Sequence, residues 1–370
     1  KPDSCQMAFT VKKGLTAIGN GRLIKEENLG ENTKFTWRTS YPINTYNVTF
    51  YVGDYVHFSE DFAGDNEPFK LNYYVLPHHL EKAKIQFKQV DKILKVYEKY
   101  FGPYPWPKDG YKLVESPYEG MEHQTAIAYG SKYKTPKWQG YDYIILHETA
   151  HEWWGNSVTN CDMSDLWIHE GFATYAEMLY EEDIFGQSRY DNSYIFNRKY
   201  SAYKRPIVGP KNVAYTNFKD GDIYSKGAAV LAALRIELND DLMFFKIIYT
   251  FATEYRKECV TTEDFMDLVN AQSGENYNWF FSQYVYRREA PEMLMYYTTV
   301  SSSKDAFYYK WNPVNTNEDF NLTVHIEVNG EIQEIHPSWK AQKLDLKPSD
   351  VLNYSLYDFV VFTDLKDAPQ

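Results

Sequence analysis

Two histidines, His147 and His151, stand four residues apart in the stretch YDYIILHETAHEWWGNSV, and Glu148 directly follows the first of them. On a helix, residues four apart lie on the same face, so both imidazoles can bind one Zn²⁺ ion. Glu148 is rotated off that face toward the open side, where the general base of a zinc hydrolase belongs. The same pattern also fits two packed histidines on an amphipathic helix. The pair alone therefore indicates a zinc site without establishing one.

A third ligand is expected from a second element, because a catalytic zinc takes three protein ligands and keeps one position for water. Glu170 follows His151 with 18 residues between them, which is long enough to finish one helix, turn and bring back an antiparallel helix. The apolar neighbours Trp167, Ile168 and Phe172 indicate a buried segment, where an unpaired carboxylate would be costly. An exposed helix carboxylate is the alternative interpretation of Glu170.

The order of these motifs resembles a known family. His-Glu-x-x-His, 18 residues and Glu, with the flanks EWWGNSVT and EGFATYAE, are similar to the gluzincin family of aminopeptidase N, which includes the leukotriene hydrolase/aminopeptidase. The resemblance covers residues 75–290 best. It implies a thermolysin-like catalytic domain, one Zn²⁺ per chain on His147, His151 and Glu170, and peptide substrates with a free N-terminus.

The stretch EGMEHQ resembles the exopeptidase signature Gly-x-Met-Glu-Asn of that family. On this match Glu122 binds the α-amino group of the substrate, and the backbone of Gly120 and Met121 aligns the peptide as an added strand. The alternative for Glu122 is a surface carboxylate at a strand edge. His123 replaces the usual Asn, and Glu119 replaces the usual Gly. We hypothesise that Glu119 favours basic first residues; equal or better turnover of leucine than of arginine substrates would count against this.

Two further residues are assigned by the same resemblance. Tyr224, in IYSKGAAVL, matches the tyrosine that donates a hydrogen bond to the oxyanion of the transition state. Because the chain has 34 Tyr, a packing role is the alternative. Glu177 lies seven residues after Glu170 on the same helix face, where it could accept a hydrogen bond from a ligand histidine or remain solvated.

The function predicted from these residues is a zinc-dependent aminopeptidase that removes single N-terminal residues from peptides. Zinc activates the attacking water, and Glu148 acts as the general base. Two alternatives stay open. One is an epoxide hydrolase side activity on a lipid, and the other is a peptide-binding module with little turnover.

The predicted fold class is α+β and multidomain. Residues 1–74 read as the C-terminal part of an N-terminal β domain with a truncated start, residues 75–290 as the catalytic domain, and residues 291–370 as a small β-sandwich-like domain. The dipeptide Asn329-Gly330 between two alternating runs predicts a hairpin in the last of these.

Helical periodicity dominates the middle of the chain. An apolar stripe from Leu80 to Phe101 predicts one helix that ends at Gly102-Pro103. Residues 141–158 are expected to form one helix, with the Trp153-Trp154 pair buried in the helical lobe. Further helices are predicted in LWIHEGFATYAEMLYEEDIFG, IYSKGAAVLAALRIEL and TTEDFMDLVNAQSG.

Composition limits the partners. A formal net charge of -12 argues against nucleic acid and anionic membrane surfaces, and no apolar run reaches the length of a transmembrane helix. The three cysteines, Cys5, Cys161 and Cys259, are expected to be buried thiols. Because the chain opens at Lys1 without a signal-like region, a removed signal is compatible with the sequence, and a cell-envelope or secreted location is favoured. The sequence makes no prediction of oligomeric state.

Overall fold

The computed structural model describes residues 1–213, 220–299, 304–346 and 350–365. The fold is α+β and multidomain, as the sequence predicted. The chain divides into two compact units. The first consists of Lys1–Asn160, Leu179–Ile184 and Ile248–Val260, and the second of Cys161–Met178, Phe185–Ile247 and the described residues of Thr261–Gln370.

The first unit begins with a strand whose side chains alternate between exposed and partly buried positions, as in a half-buried sheet. Its strands are β1 (Gln6–Lys12), β2 (Thr16–Gly19), β3 (Arg22–Asn28), β4 (Asn32–Arg38), β5 (Phe50–Gly53), β6 (Val56–Phe62), β7 (Phe69–Val75), β8 (Tyr111–Glu115), β9 (Gly120–Met121), β10 (Ile127–Tyr129), β11 (Thr159–Asn160) and β12 (Cys259–Val260). Strands β1, β4 and β3 form one antiparallel sheet, and β2 pairs with β5.

A five-stranded mixed sheet with the order β6-β7-β8-β10-β9 positions the signature strand β9 at its edge. Strands β7, β8 and β10 run parallel, whereas β6 and β9 run antiparallel to their neighbours. The core of the N-terminal strands, including Trp37 and Tyr51, is continuous with Val114 and Ala128 of this sheet. The predicted domain boundary at residue 74 falls within β7; the division of the chain into domains stays a prediction.

Three helices of the first unit are α1 (Leu80–Gln86), α2 (Gln89–Phe101) and α3 (Tyr143–Ala150). The single helix predicted from Leu80 to Phe101 is therefore wrong in one detail, since it breaks at Phe87. The buried Phe87 ring packs against Tyr73 and Tyr129 of the sheet, and the Val90 amide bonds to the Phe87 carbonyl at the tighter three-residue spacing. The predicted stop is confirmed, because Gly102 caps α2 with a φ of 77°.

The remaining helices are α4 (Trp167–Phe185), α5 (Gln187–Tyr200), α6 (Asp222–Leu238), α7 (Asp241–Glu254), α8 (Thr262–Ser273) and α9 (Asn278–Tyr284). In the second unit, α4 and α6 approach closely at two glycines. A Cβ added to Gly171 would lie 3.0 Å from the Gly227 Cα atom and 3.1 Å from the Ile223 carbonyl oxygen. Residues without side chains are therefore required where the two helices meet.

The C-terminal strands of the second unit are β13 (Glu292–Thr299), β14 (Lys304–Trp311), β15 (Val324–Val328), β16 (Glu331–Ile335), β17 (Gln342–Leu344), β18 (Leu352–Tyr354) and β19 (Val361–Leu365). They form two sheets with the orders β17-β14-β13-β19 and β16-β15-β18. The hairpin predicted at Asn329-Gly330 is confirmed between β15 and β16.

Two observations bear on the predictions from composition. Within the described ranges, no helix has both the length and the apolar character needed to cross a membrane. The expectation of buried cysteines is wrong: Cys161 and Cys259 are exposed and Cys5 is half-buried. Cys259 is the first residue of β12 and Cys161 directly follows β11, and these two strands pair over only two residues each.

Candidate active site

Helix α3 carries His147 and Glu148, and polar contacts fix its first turn. The Asp142 carboxylate caps the helix by accepting the Ile144 amide at 3.0 Å, and it also accepts the Tyr129 hydroxyl at 2.7 Å. The predicted helix over residues 141–158 is too long, since α3 ends at Ala150. The chain then turns tightly through Gly155, whose φ is 120°.

The two histidines present their Nε2 atoms to the same point. These atoms are 3.1 Å apart, and the His151 Nδ1 atom lies 2.8 Å from the Trp154 carbonyl oxygen. Because a carbonyl only accepts, His151 Nδ1 is the donor, and the neutral tautomer with this donor keeps its Nε2 lone pair for a metal. Two nitrogens bound to one tetrahedral zinc are about 3.3 Å apart. The donor set therefore fits a metal ion.

Glu170 and Tyr224 lie in the second unit, on helices that touch. Glu170 is buried in the first turn of α4, directly before Gly171, and Tyr224 follows Ile223, whose carbonyl faces that glycine. His147, His151 and Glu170 form a group that could hold a metal ion. These are the three residues that the sequence predicts as zinc ligands, and their role as ligands stays a prediction.

Glu177, which the sequence left as either a hydrogen-bond acceptor or a solvated carboxylate, is buried on α4. Burial removes the solvated alternative, because a carboxylate inside a protein needs compensating contacts. Its predicted contact with a ligand histidine stays a prediction.

The signature strand β9 brings its residues beside α3. Gly120 and Met121 pair with Tyr129 and Ala128 of β10, which leaves the other edge of β9 as the edge of the sheet. Ligand atoms of Glu122, Glu148 and His151 all lie within 4.8 Å of one another. The structure therefore places Glu122 beside the predicted general base.

Gly120 faces the Glu148 carboxylate directly. A Cβ atom added to Gly120 would collide with Glu148 Oε1 and lie 2.9 Å from Ile144 Cγ2. Glycine at this position therefore makes room for the side chain of Glu148.

The two residues that depart from the family signature lie in different environments. Glu119 is exposed. His123 is half-buried, and burial lowers its pKa to about 4, so its ring is neutral near pH 7. Tyr51 donates to the Ala126 carbonyl at 2.8 Å, so His123 Nδ1 donates to the Tyr51 oxygen, 2.8 Å away.

The sequence analysis did not identify a set of buried polar residues that lie around β9 and the segment after it. Glu152 and Asn156 follow the zinc motif and are fully buried, and burial raises the Glu152 pKa to about 7. Buried Lys112, whose pKa is lowered to about 8 by desolvation, lies close enough to favour the ionised carboxylate of Glu152. A signal was available, since Glu152 and Asn156 interrupt an otherwise aromatic and small stretch, EWWGNSV.

Comparison with known proteins identifies the family. The model of the Peptidase family M1 domain matches residues 85–284, more than half of the chain. The chain belongs to peptidase family M1, which confirms the family that its motifs resemble.

The chain is similar to several proteins that are named as aminopeptidases. The chain is 21% identical over 362 residues to "Probable aminopeptidase 1" of Sulfurisphaera tokodaii, covering 92% of this chain and 45% of the relative. It is 27% identical over 268 residues to endoplasmic reticulum aminopeptidase 1 of Mus musculus, covering 67% and 28%, and 26% identical over 278 residues to aminopeptidase B of Rattus norvegicus, covering 70% and 40%. The chain therefore spans less than half the length of these relatives.

Solved structures show the same fold. An M1 zinc metallopeptidase from Deinococcus radiodurans superposes with a TM-score of 0.68 at 22% identity, covering 77% of this chain and 64% of that one. A variant of that enzyme bound to a Tyr-Ser-Ala substrate superposes with a TM-score of 0.64. The likeness confirms the multidomain α+β architecture.

Proposed function

We propose that this chain is the catalytic part of a zinc-dependent aminopeptidase that removes single residues from the N-terminus of peptides. One observation carries the proposal: Glu122 lies beside Glu148 and His151, with ligand atoms within 4.8 Å. A carboxylate at this distance can hold the substrate ammonium only when the first peptide bond is at the base. The named relatives and membership in family M1 support the same activity.

The donor set His147, His151 and Glu170 would hold zinc, which when bound supplies Lewis-acid polarisation and a water of lowered pKa. Glu148 takes the proton of the attacking water and passes it to the leaving amine. Its place behind Gly120, on the helix that carries His147, supports this role.

Four further roles are proposed from the match to the family motifs. Tyr224 donates its hydroxyl to the oxyanion that develops during attack. Glu122 binds the ammonium of the substrate, and the open edge of β9 at Gly120 and Met121 aligns the peptide as an added strand. Exposed Glu119 contacts basic first residues.

The experiment that tests the exopeptidase assignment is Glu122→Gln. Because a charge-assisted hydrogen bond to the ammonium is lost, we expect kcat/KM on leucine p-nitroanilide to fall roughly 10- to 100-fold, mostly through KM. Steady-state kinetics measures this. Glu81→Gln removes the same charge from an exposed pair with Lys84 on α1 and is expected to leave kcat/KM unchanged. An unchanged kcat/KM in Glu122→Gln would remove Glu122 from the substrate site.

A further inference from the structure

The segment that follows β9 is held by the turn that follows the zinc motif. Asn156 Nδ2 donates to the Glu122 carbonyl at 2.9 Å, and the Thr125 amide donates to Glu152 Oε1 at 3.0 Å. The same Oε1 atom accepts Asn156 Nδ2 at 3.2 Å, and Glu152 Oε2 accepts the Tyr104 hydroxyl at 2.6 Å. Both ends of this short segment are therefore tied to one turn.

The turn between β2 and β3 also bonds to this segment. Asn20 Nδ2 donates to the Gln124 carbonyl at 2.6 Å, and the Gly21 amide donates to Thr125 Oγ1 at 2.8 Å. Thr125 has a φ of 56°, an unusual conformation for a β-branched residue that these bonds hold in place. The position of the segment is therefore set by its neighbours rather than by its own backbone preference.

Asn156 connects both of these sets of hydrogen bonds to His151, which is one of the proposed metal ligands. Its backbone amide donates to the His151 carbonyl at 3.0 Å, while its side chain donates to the Glu122 carbonyl at 2.9 Å. Its Oδ1 atom accepts Asn47 Nδ2, and the Asn47 carbonyl accepts Asn20 Nδ2 at 3.0 Å. Asn47 and Asn156 have no exposed surface, so loss of either leaves buried polar groups unsatisfied.

We propose that Asn156 is a positioning residue that fixes Glu122 relative to His151 and so sets which peptide bond reaches the metal. The inference rests on the proposed function, because it assumes that Glu122 binds the substrate ammonium. The side chain is specific for this role: an aspartate lacks the donor that the Glu122 carbonyl needs and would face the Glu152 carboxylate. A glutamine would move the amide by one methylene.

The test is Asn156→Ala, with Asn44→Ala as its matched control. Asn44 is a buried asparagine whose side chain donates to the same turn, at the Gly155 carbonyl (3.0 Å) and at Thr159 Oγ1 (3.1 Å), and these two bonds do not involve residues 122–126. The readout is kcat/KM on leucine p-nitroanilide divided by that on 4-methylpentanoyl p-nitroanilide, which lacks the amine. In Asn156→Ala we expect this ratio to fall about tenfold with zinc content unchanged, whereas Asn44→Ala keeps the wild-type ratio.

A double variant separates a positioning role from a general loss of structure. If Asn156 acts through Glu122, Asn156→Ala added to Glu122→Gln lowers the ratio no further. Equal losses on both substrates, or a second tenfold loss in the double variant, would overturn the inference. A Glu122→Gln ratio equal to wild type would instead overturn the role of Glu122, which belongs to the proposed function.

A second variant covers the case in which Asn156→Ala does not fold. Asn47→Ala removes only the donor to Asn156 Oδ1 and leaves the Asn156–Glu122 bond in place. It is expected to lower the same ratio about threefold, since the Asn156 amide then loses one of its restraints. A wild-type ratio in folded Asn47→Ala would contradict the positioning role.

Discussion

Glu148→Gln is expected to lower kcat by about three orders of magnitude while leaving the bound metal in place. The amide has the volume of the carboxylate but cannot accept a proton from water, so only the transfer step is lost. The contact of His151 Nδ1 with the Trp154 carbonyl oxygen does not involve the changed carboxylate, so we expect the His151 ring to keep its orientation. The measurement is kcat on leucine p-nitroanilide, together with zinc content by atomic absorption.

The control for this variant is Glu98→Gln, which alters another buried carboxylate. Glu98 lies on α2, where it accepts the Tyr104 amide at 2.9 Å, and it has no place in the proposed chemistry. We expect its kcat to stay within about threefold of wild type, since a Gln oxygen can accept the same amide. Retention of one tenth or more of the wild-type kcat by Glu148→Gln would rule out Glu148 as the general base.

Gly120→Ala is expected to lower kcat about 100-fold with a smaller change in stability. Gly120 has no positive φ, so its backbone accepts alanine and the only obstacle is space. The new methyl group would stand against the Glu148 carboxylate and 2.9 Å from Ile144 Cγ2. A displacement of the general base by about 1 Å lowers the rate on the order of 10²-fold. Overpacking lowers the free energy of unfolding by about 1–3 kcal/mol.

Gly14→Ala supplies the comparison for this variant. Gly14 has a φ of 93° and no atom within 4 Å of an added Cβ, so alanine there is strained without touching the site. Both variants are destabilised, and we expect only Gly120→Ala to lose kcat. Steady-state kinetics below both melting temperatures measures this. A wild-type kcat in Gly120→Ala would show that Gly120 does not set the position of Glu148.

Local patterns predicted much of the fold, and they also indicated the residues that could hold a metal ion. The spacing of His147 and His151 predicts that their side chains lie together, because a helix puts residues four apart on one face. The run IYSKGAAVLAALRIEL forms α6, as its periodicity indicates, and Asn329-Gly330 forms the hairpin that its backbone preference favours. The predicted burial of Trp153 and Trp154 is also confirmed, and their rings contact Phe101.

What the sequence could not predict depends on contacts between distant residues. Asn47 and Asn156 are 109 residues apart, and no sequence pattern around either residue indicates the hydrogen bond between their side chains. The early end of α3 has the same origin, since Glu152 and Asn156 leave the helical path to bond the segment after β9. A periodic pattern records which residues are apolar, whereas these contacts depend on how separate strands and turns meet.

The measurement that tests the central claim most directly compares a peptide with its N-acetylated form, each incubated with the protein and followed by mass spectrometry, with and without a zinc chelator. We predict stepwise loss of single N-terminal residues from the free peptide, no cleavage of the acetylated one, and loss of all turnover on chelation with recovery when zinc is added. Cleavage of both peptides at similar rates, or turnover that persists in the chelated protein, would contradict a zinc-dependent aminopeptidase.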